Sequence, residues 1–198
     1  MSVLENILRC VDEARSFGYQ KTEWGAKFYG RMPHVAPEAW FHRVYAGLNA
    51  DQLRQLERLV GGGLPDELAA LLEEANGLSL FDRCLAVDGL RTEYSRGPEA
   101  SSFPFAMETG NNLERPRNCP KGYLFFGSYF EDASPLVFDR ETGHVLWLPR
   151  WQAGPILRRW PSIRAMLESE SERLSRLFDS TGHLLDPKNS TLPSVDAN

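Results

Sequence analysis

The apolar periodicity of this chain changes type at Asn76-Gly77, and that switch limits the folds open to it. Upstream, Leu64, Leu68, Leu71, Leu72 and Ala75 recur at helical spacing around Pro65-Asp66-Glu67. Proline loses little at a helix start, where its missing N–H would have had no intrahelical partner, and the two carboxylates face the positive end of the helix dipole. Asn76-Gly77 supplies the left-handed residue expected to end the helix. Downstream, short apolar runs alternate with turn residues, which predicts strands over 79–81, 84–87, 103–107, 123–128, 136–139 and 145–148. The last two flank Arg140-Glu141-Thr142-Gly143, where glycine provides the positive φ of a short hairpin loop.

Helical spacing occupies both flanks of that strand-rich middle. Val3, Ile7, Leu8 and Val11 form an N-terminal stripe closed by Phe17-Gly18, and Pro37-Glu38-Ala39-Trp40 predicts another helix start. Asn49 reads as an N-cap with Gln52 as its reciprocal partner, ahead of Leu53, Leu56 and Val60 and the stop Gly61-Gly62-Gly63. Trp160-Pro161-Ser162 opens a last helix running through Phe178, and the polar tail from Asp179 is expected to be loosely held. Helices, then strands, then a helix predict an α+β fold whose antiparallel sheet of about five to six strands is packed with helices. The expected organisation is a helical extension over 1–48, a main domain over 49–178 and a tail over 179–198.

A chain of 198 residues hides about 70% of its unfolded surface and needs neither disulfide nor metal to stay folded. Cys10, Cys84 and Cys119 are odd in number, far apart and outside any CxxC pair, as in a reduced compartment. Glu5, Arg9 and Asp12 interrupt the N-terminal stripe, so it does not read as a signal peptide, and no apolar run approaches the roughly 18 residues of a membrane span. A cytoplasmic location is expected. The net charge of −5 argues against a nucleic-acid partner, which would require clustered cations. Residues 64–149 hold 7 basic and 14 acidic groups, so the negative excess lies in the middle of the chain.

Catalytic signatures are missing. His34, His42, His144 and His183 show no metal-ligand spacing, there is no Gly-x-Ser-x-Gly elbow, and the triple glycine lacks the Gly-Lys-Ser/Thr ending of a phosphate loop. Glu131-Asp132 has no third acidic residue at a recognisable metal-binding spacing, which favours a solvated loop or contact with a basic partner. No catalytic, cofactor or metal residue is assigned. Trp147 reads as core, whereas Trp151 and Trp160 read as half exposed.

The segment from Leu64-Pro65-Asp66-Glu67-Leu68 to Asn76-Gly77-Leu78 resembles the "LP…L…L…NG" signature of the SMI1/KNR4 (SUKH) superfamily. Val87-Asp88-Gly89-Leu90, Tyr123-Leu124-Phe125-Phe126-Gly127-Ser128, the hairpin from Pro135 to Val145 and Trp160-Pro161-Ser162-Ile163 agree with it in order, over roughly residues 50–178. Ser162-Ile163 stands where the family has Ser-Phe, and the first 48 residues have no place in the pattern. The resemblance implies a non-catalytic protein-binding domain. Bacterial members are largely immunity proteins against secreted toxins, many of them nucleases, which an acidic inhibitor would attract electrostatically. Phe130, Glu131, Asp132, Asp139 and Glu141 are the expected contact residues, chosen for charge and loop position. A regulatory scaffold for an endogenous protein, or an enzyme whose cleft the sequence does not reveal, are the alternatives.

Overall fold

A computed structural model describes residues 5–94 and 96–196. Its helices are α1 (Glu5–Glu13), α2 (Ala50–Leu59), α3 (Asp66–Glu74) and α4 (Ile163–Ser175). Val3 lies outside the described residues, as do the side chains of Leu8 and Cys10. At α2 the capping box forms as expected: Asn49 accepts from the Asp51 and Gln52 amides, and the Gln52 side chain accepts from the Asn49 amide. Glu67 does something the sequence did not suggest. Its carboxylate accepts from the amides of Ile163 and Arg164, so the acidic start of α3 also caps the positive end of α4.

The sheet has nine antiparallel strands instead of five to six: β1 (Tyr19–Lys21), β2 (Lys27–Arg31), β3 (Trp40–Ala46), β4 (Ala75–Leu80), β5 (Leu85–Val87), β6 (Tyr123–Tyr129), β7 (Pro135–Asp139), β8 (Val145–Trp147) and β9 (Arg158–Trp160). Their spatial order is their sequence order. The expected helical character of residues 1–48 is corrected by β1–β3. Trp40-Phe41-His42-Arg43-Val44-Tyr45 forms a central strand buried on both faces, so period-two alternation is masked by bulky residues on either side. Residues 103–107 are not a strand; only Ala106 makes an isolated bridge, with Gly89.

Alternation along the strands divides the interior. Val44, Leu78, Val87, Phe126, Leu136 and Trp147 join helix residues such as Leu71 and Met166 in the main core. The other face carries Phe28, Trp40 and Tyr45 in one cluster and Phe125, Val137 and Leu146 in another. Trp160 is buried at 4% exposure, against its expected half-exposed place.

Asn76-Gly77 has a different task from the one expected. α3 ends at Glu74, Ala75 is already extended, and both residues lie inside β4. The buried Asn76 side chain donates to the Leu90 carbonyl (2.8 Å) and accepts from the Leu90 amide (2.7 Å), acting as a surrogate strand. Gly77 has φ +89°, and a Cβ there would stand 2.5 Å from the Val87 carbonyl. The pair therefore fixes the exit of β5 through Asp88. Asn111, on a single π-helical turn (Thr109–Leu113), clamps β6 in the same way through the amide and carbonyl of Phe125.

Candidate functional site

Antiparallel registry gathers three connections at one end of the sheet. Leu80 pairs with Leu85, Leu85 with Tyr129, Ser128 with Pro135, and Leu136 with Trp147. The β4–β5 turn, the β6–β7 turn and the long β8–β9 connection therefore lie side by side. All five non-glycine residues with positive φ among the described residues occur in them: Phe81, Asp82, Arg83, Ala133 and Trp151. Such conformations are costly for residues with a Cβ and concentrate where a fold positions side chains for binding.

A cavity of about 340 Å³ opens beside these loops, along the face of β6 away from the helices. Its rim carries Phe105, Phe130 and Trp151, which are 49%, 52% and 53% exposed. Two of these rings are partnered by cations, with Arg83 4.3 Å from the Phe130 centroid and Arg150 4.7 Å from that of Trp151. Asp88, Glu114 and Arg150 also line the cavity. Oδ1 of Asp88 is buried and has no hydrogen-bond partner among the described residues. Burial, with the Glu114 carboxylate adding to it, pushes the Asp88 carboxyl up to about 7.

The five expected contact residues fall into two groups. Phe130, Glu131 and Asp132 follow β6 at this end. Asp139 and Glu141 sit in the β7–β8 hairpin at the opposite end, about 13 Å away by the rise of β7. Asp139 is engaged in its own turn, accepting from the Glu141 amide (3.0 Å) and the Thr142 hydroxyl (2.7 Å). Asp132 likewise accepts from the Ser134 amide at 2.9 Å. His144 lies in the far hairpin and is not brought near His34 or Glu131.

Glu131 is held by the C-terminal tail. It accepts from the Ser190 hydroxyl (2.7 Å) and from the amide (2.6 Å) and hydroxyl (2.7 Å) of Thr191. Burial alone would raise its carboxyl, but these bonds outweigh that and leave it below the ordinary carboxylate range. The expectation of a loose tail is corrected over the described residues 179–196. The Asp179 carboxylate accepts from the His183 and Thr181 amides and the Thr181 hydroxyl, which holds it down at about 2. His183 stacks on His34 with centroids 3.5 Å apart, and the Asp196 amide and carboxylate reach Leu157 and Arg159 beside β9.

Under this tail lies Cys84, whose thiol burial pushes up to about 11. Such a thiol reacts slowly because the thiolate is the nucleophile. Glu131→Ala should unlatch residues 190–191 and raise the rate of Cys84 alkylation by iodoacetamide at pH 8 at least fivefold, read by mass spectrometry of the labelled peptide. An unchanged rate would show that the latch does not cover the thiol.

Sequence reasoning singled out Phe130 and Glu131 but passed over Asp88, Phe105 and Glu114, which are separate in sequence. Asp88 follows β5, and Phe105 and Glu114 are brought to it by the β5–β6 connection, which bonds back to Gly89. Among the described residues no group of three or more His, Cys, Asp or Glu side chains could hold a metal ion, and no helix is long and apolar enough to cross a membrane. No curated protein matches the chain. A family model does, over residues 47–169, more than half of its length, and that stretch contains β4 to β8, the Asn76-Gly77 clamp and the lined cavity. By that match the chain belongs to the SMI1/KNR4 family (SUKH-1).

Proposed function

We propose that this chain is an immunity protein, a non-catalytic cytoplasmic domain that neutralises a cognate toxin by covering its functional surface. The observation that carries the reading is the sheet end where Phe130 and Trp151, on two of the strained loops, meet Phe105 from the β5–β6 connection around an acidic floor. Exposed aromatics next to a concave site are the residue types that dominate binding energy at protein interfaces. Family membership supports the reading, since bacterial members of this superfamily are largely immunity proteins. The excess of 14 acidic over 7 basic residues in 64–149 suits a basic partner, because complementary charge speeds encounter while aromatic anchors slow release. On this reading the Phe130–Asp132 group supplies the contact residues, with Phe130 lining the cavity.

The test is co-expression with the protein encoded beside this chain. Wild type should restore growth and co-purify with it. Phe130→Ala should weaken the complex about tenfold or more, as loss of an interface anchor does. Glu141→Ala, at the other end of the sheet, should change affinity less than twofold. If the neighbouring product is harmless and does not bind, the chain is not its immunity protein. A product that binds without being toxic would favour the regulatory scaffold.

A further inference from the structure

The cavity beside β6 has a feature that a merely apolar contact patch would not need. Asp88 reaches it from the end of β5, held there by the bonds of Asn76 to Leu90 and by its own amide, which donates to the Phe126 carbonyl at 2.8 Å. A buried carboxylate oxygen without a partner is costly, and folds rarely retain one without use. Glu114 lines the same cavity, so two carboxylates share it with a single cationic side chain, Arg150. Arg150 stands over the Trp151 ring, leaving Asp88 Oδ1 unpartnered. At its rim Phe105 and Trp151 are half exposed, Arg150 already lying over one face of the Trp151 ring, and aromatic rings of this kind are surfaces on which a planar guanidinium stacks well.

We infer that this cavity receives one arginine side chain from the partner protein, its guanidinium paired with Asp88 and Glu114 and its stem packed between Phe105 and Trp151. Arginine fits better than lysine because its fork of donors can engage two carboxylates while its plane lies against an aromatic ring. The inference rests on the protein-binding reading above and adds which chemistry the pocket selects. The occupant is acidic-seeking and cationic, in keeping with a basic partner. Proton release from Asp88 accompanies pairing, so affinity should rise with pH. The other ionisable or charged groups around Asp88 are Glu114, Arg150 across the cavity and Tyr45 on β3, whose hydroxyl burial raises.

The experiment needs no partner. Nα-acetyl-L-arginine amide is titrated into the full chain, following the Trp151 indole resonance and the Asp88 side-chain carboxyl resonance. Saturable binding at millimolar concentration is expected, tightening several-fold from pH 6 to pH 8 as the carboxylate forms. Asp88→Asn should weaken it at least tenfold while the chain stays folded, Trp151→Ala should weaken it several-fold, and Nα-acetyl-L-glutamate amide should not bind. Absence of saturation, or equal affinity in wild type and Asp88→Asn, overturns the inference. A cognate protein that binds wild type and Asp88→Asn equally well would also overturn it while leaving the immunity reading intact. Specific arginine binding without any toxin partner would do the reverse.

Discussion

Asp88→Asn is expected to raise the unfolding free energy at pH 8 by up to about 4 kcal/mol and to leave it nearly unchanged at pH 4. The folded carboxyl holds its proton up to about pH 7, above its ordinary value of 3.8, so the folded state binds more protons than the unfolded one between these limits. Stability is therefore intact at low pH and lost as pH rises through 7. His42 has the opposite sign. Its ring is buried on β3, accepts from the Phe81 amide at 3.3 Å and is pushed down by burial to about 3. Its contribution is intact above about 6.5 and lost as pH falls towards 3. Each slope is about 1.4 kcal/mol per pH unit, so between about pH 4 and 6.5 they offset one another.

Three urea-unfolding series test this. Wild type should be nearly flat from pH 4.5 to 6.5. Asp88→Asn should lose stability as pH falls in that window. His42→Gln, which keeps an acceptor for the Phe81 amide, should lose it as pH rises. A variant that tracks wild type at every pH shows that its group does not titrate as the burial argues. If Asp88→Asn both stabilises the chain and abolishes arginine binding, the unpartnered carboxyl is held at the expense of stability, as binding sites often are.

Arg173→Ala should cost about 3–5 kcal/mol, the loss usual when one member of a buried ion pair is removed. Glu170 is fully buried, and its Oε2 accepts from Arg173 Nε (3.1 Å) and Nη2 (2.7 Å). Tyr129, buried nearby, has its hydroxyl pushed far up by burial and by Glu170. Arg173 also donates to the carbonyls of Thr191 (2.8 Å) and Leu192 (3.4 Å), tying α4 to the tail. Its loss strands a carboxylate inside the core and unpins the tail at once. Adding Glu170→Gln removes the stranded charge and should recover at least half of the cost. A double variant no better than Arg173→Ala would place the cost in the tail contacts.

Much of the α+β order was legible because local chemistry dictates it. Asn49 and Gln52 cap α2, Ser162 caps α4 through the Ala165 amide (3.1 Å), and Gly143 at φ +74° closes the β7–β8 hairpin. β3 was not legible, since burial on both faces replaces alternation by a run of large side chains with no period. Gly77 was correctly expected to have positive φ, yet its setting was missed because the Val87 carbonyl that excludes a Cβ comes from a neighbouring strand. Phe130 and Glu131 were visible as an aromatic and an acid in a loop. Asp88 and Trp151 could be joined to them only by the registers of β5 to β8. The tail looked unanchored because hydrogen bonds from Ser190 and Thr191 to Glu131 span about sixty positions and leave no local pattern.

Strand order that follows chain order carries a kinetic corollary. Every ladder from β1 to β9 joins strands consecutive in the chain, although α2 and α3 intervene between β3 and β4 and a long connection between β5 and β6. Because closure cost grows only slowly with loop length, pairing can begin while synthesis is under way. The latch at Glu131 and the Asp196 contacts beside β9 must wait for residues 190–196 to emerge. A nascent product would therefore possess the β-framework before its clasp, with Cys84 accessible to oxidants until residues 190–191 have emerged.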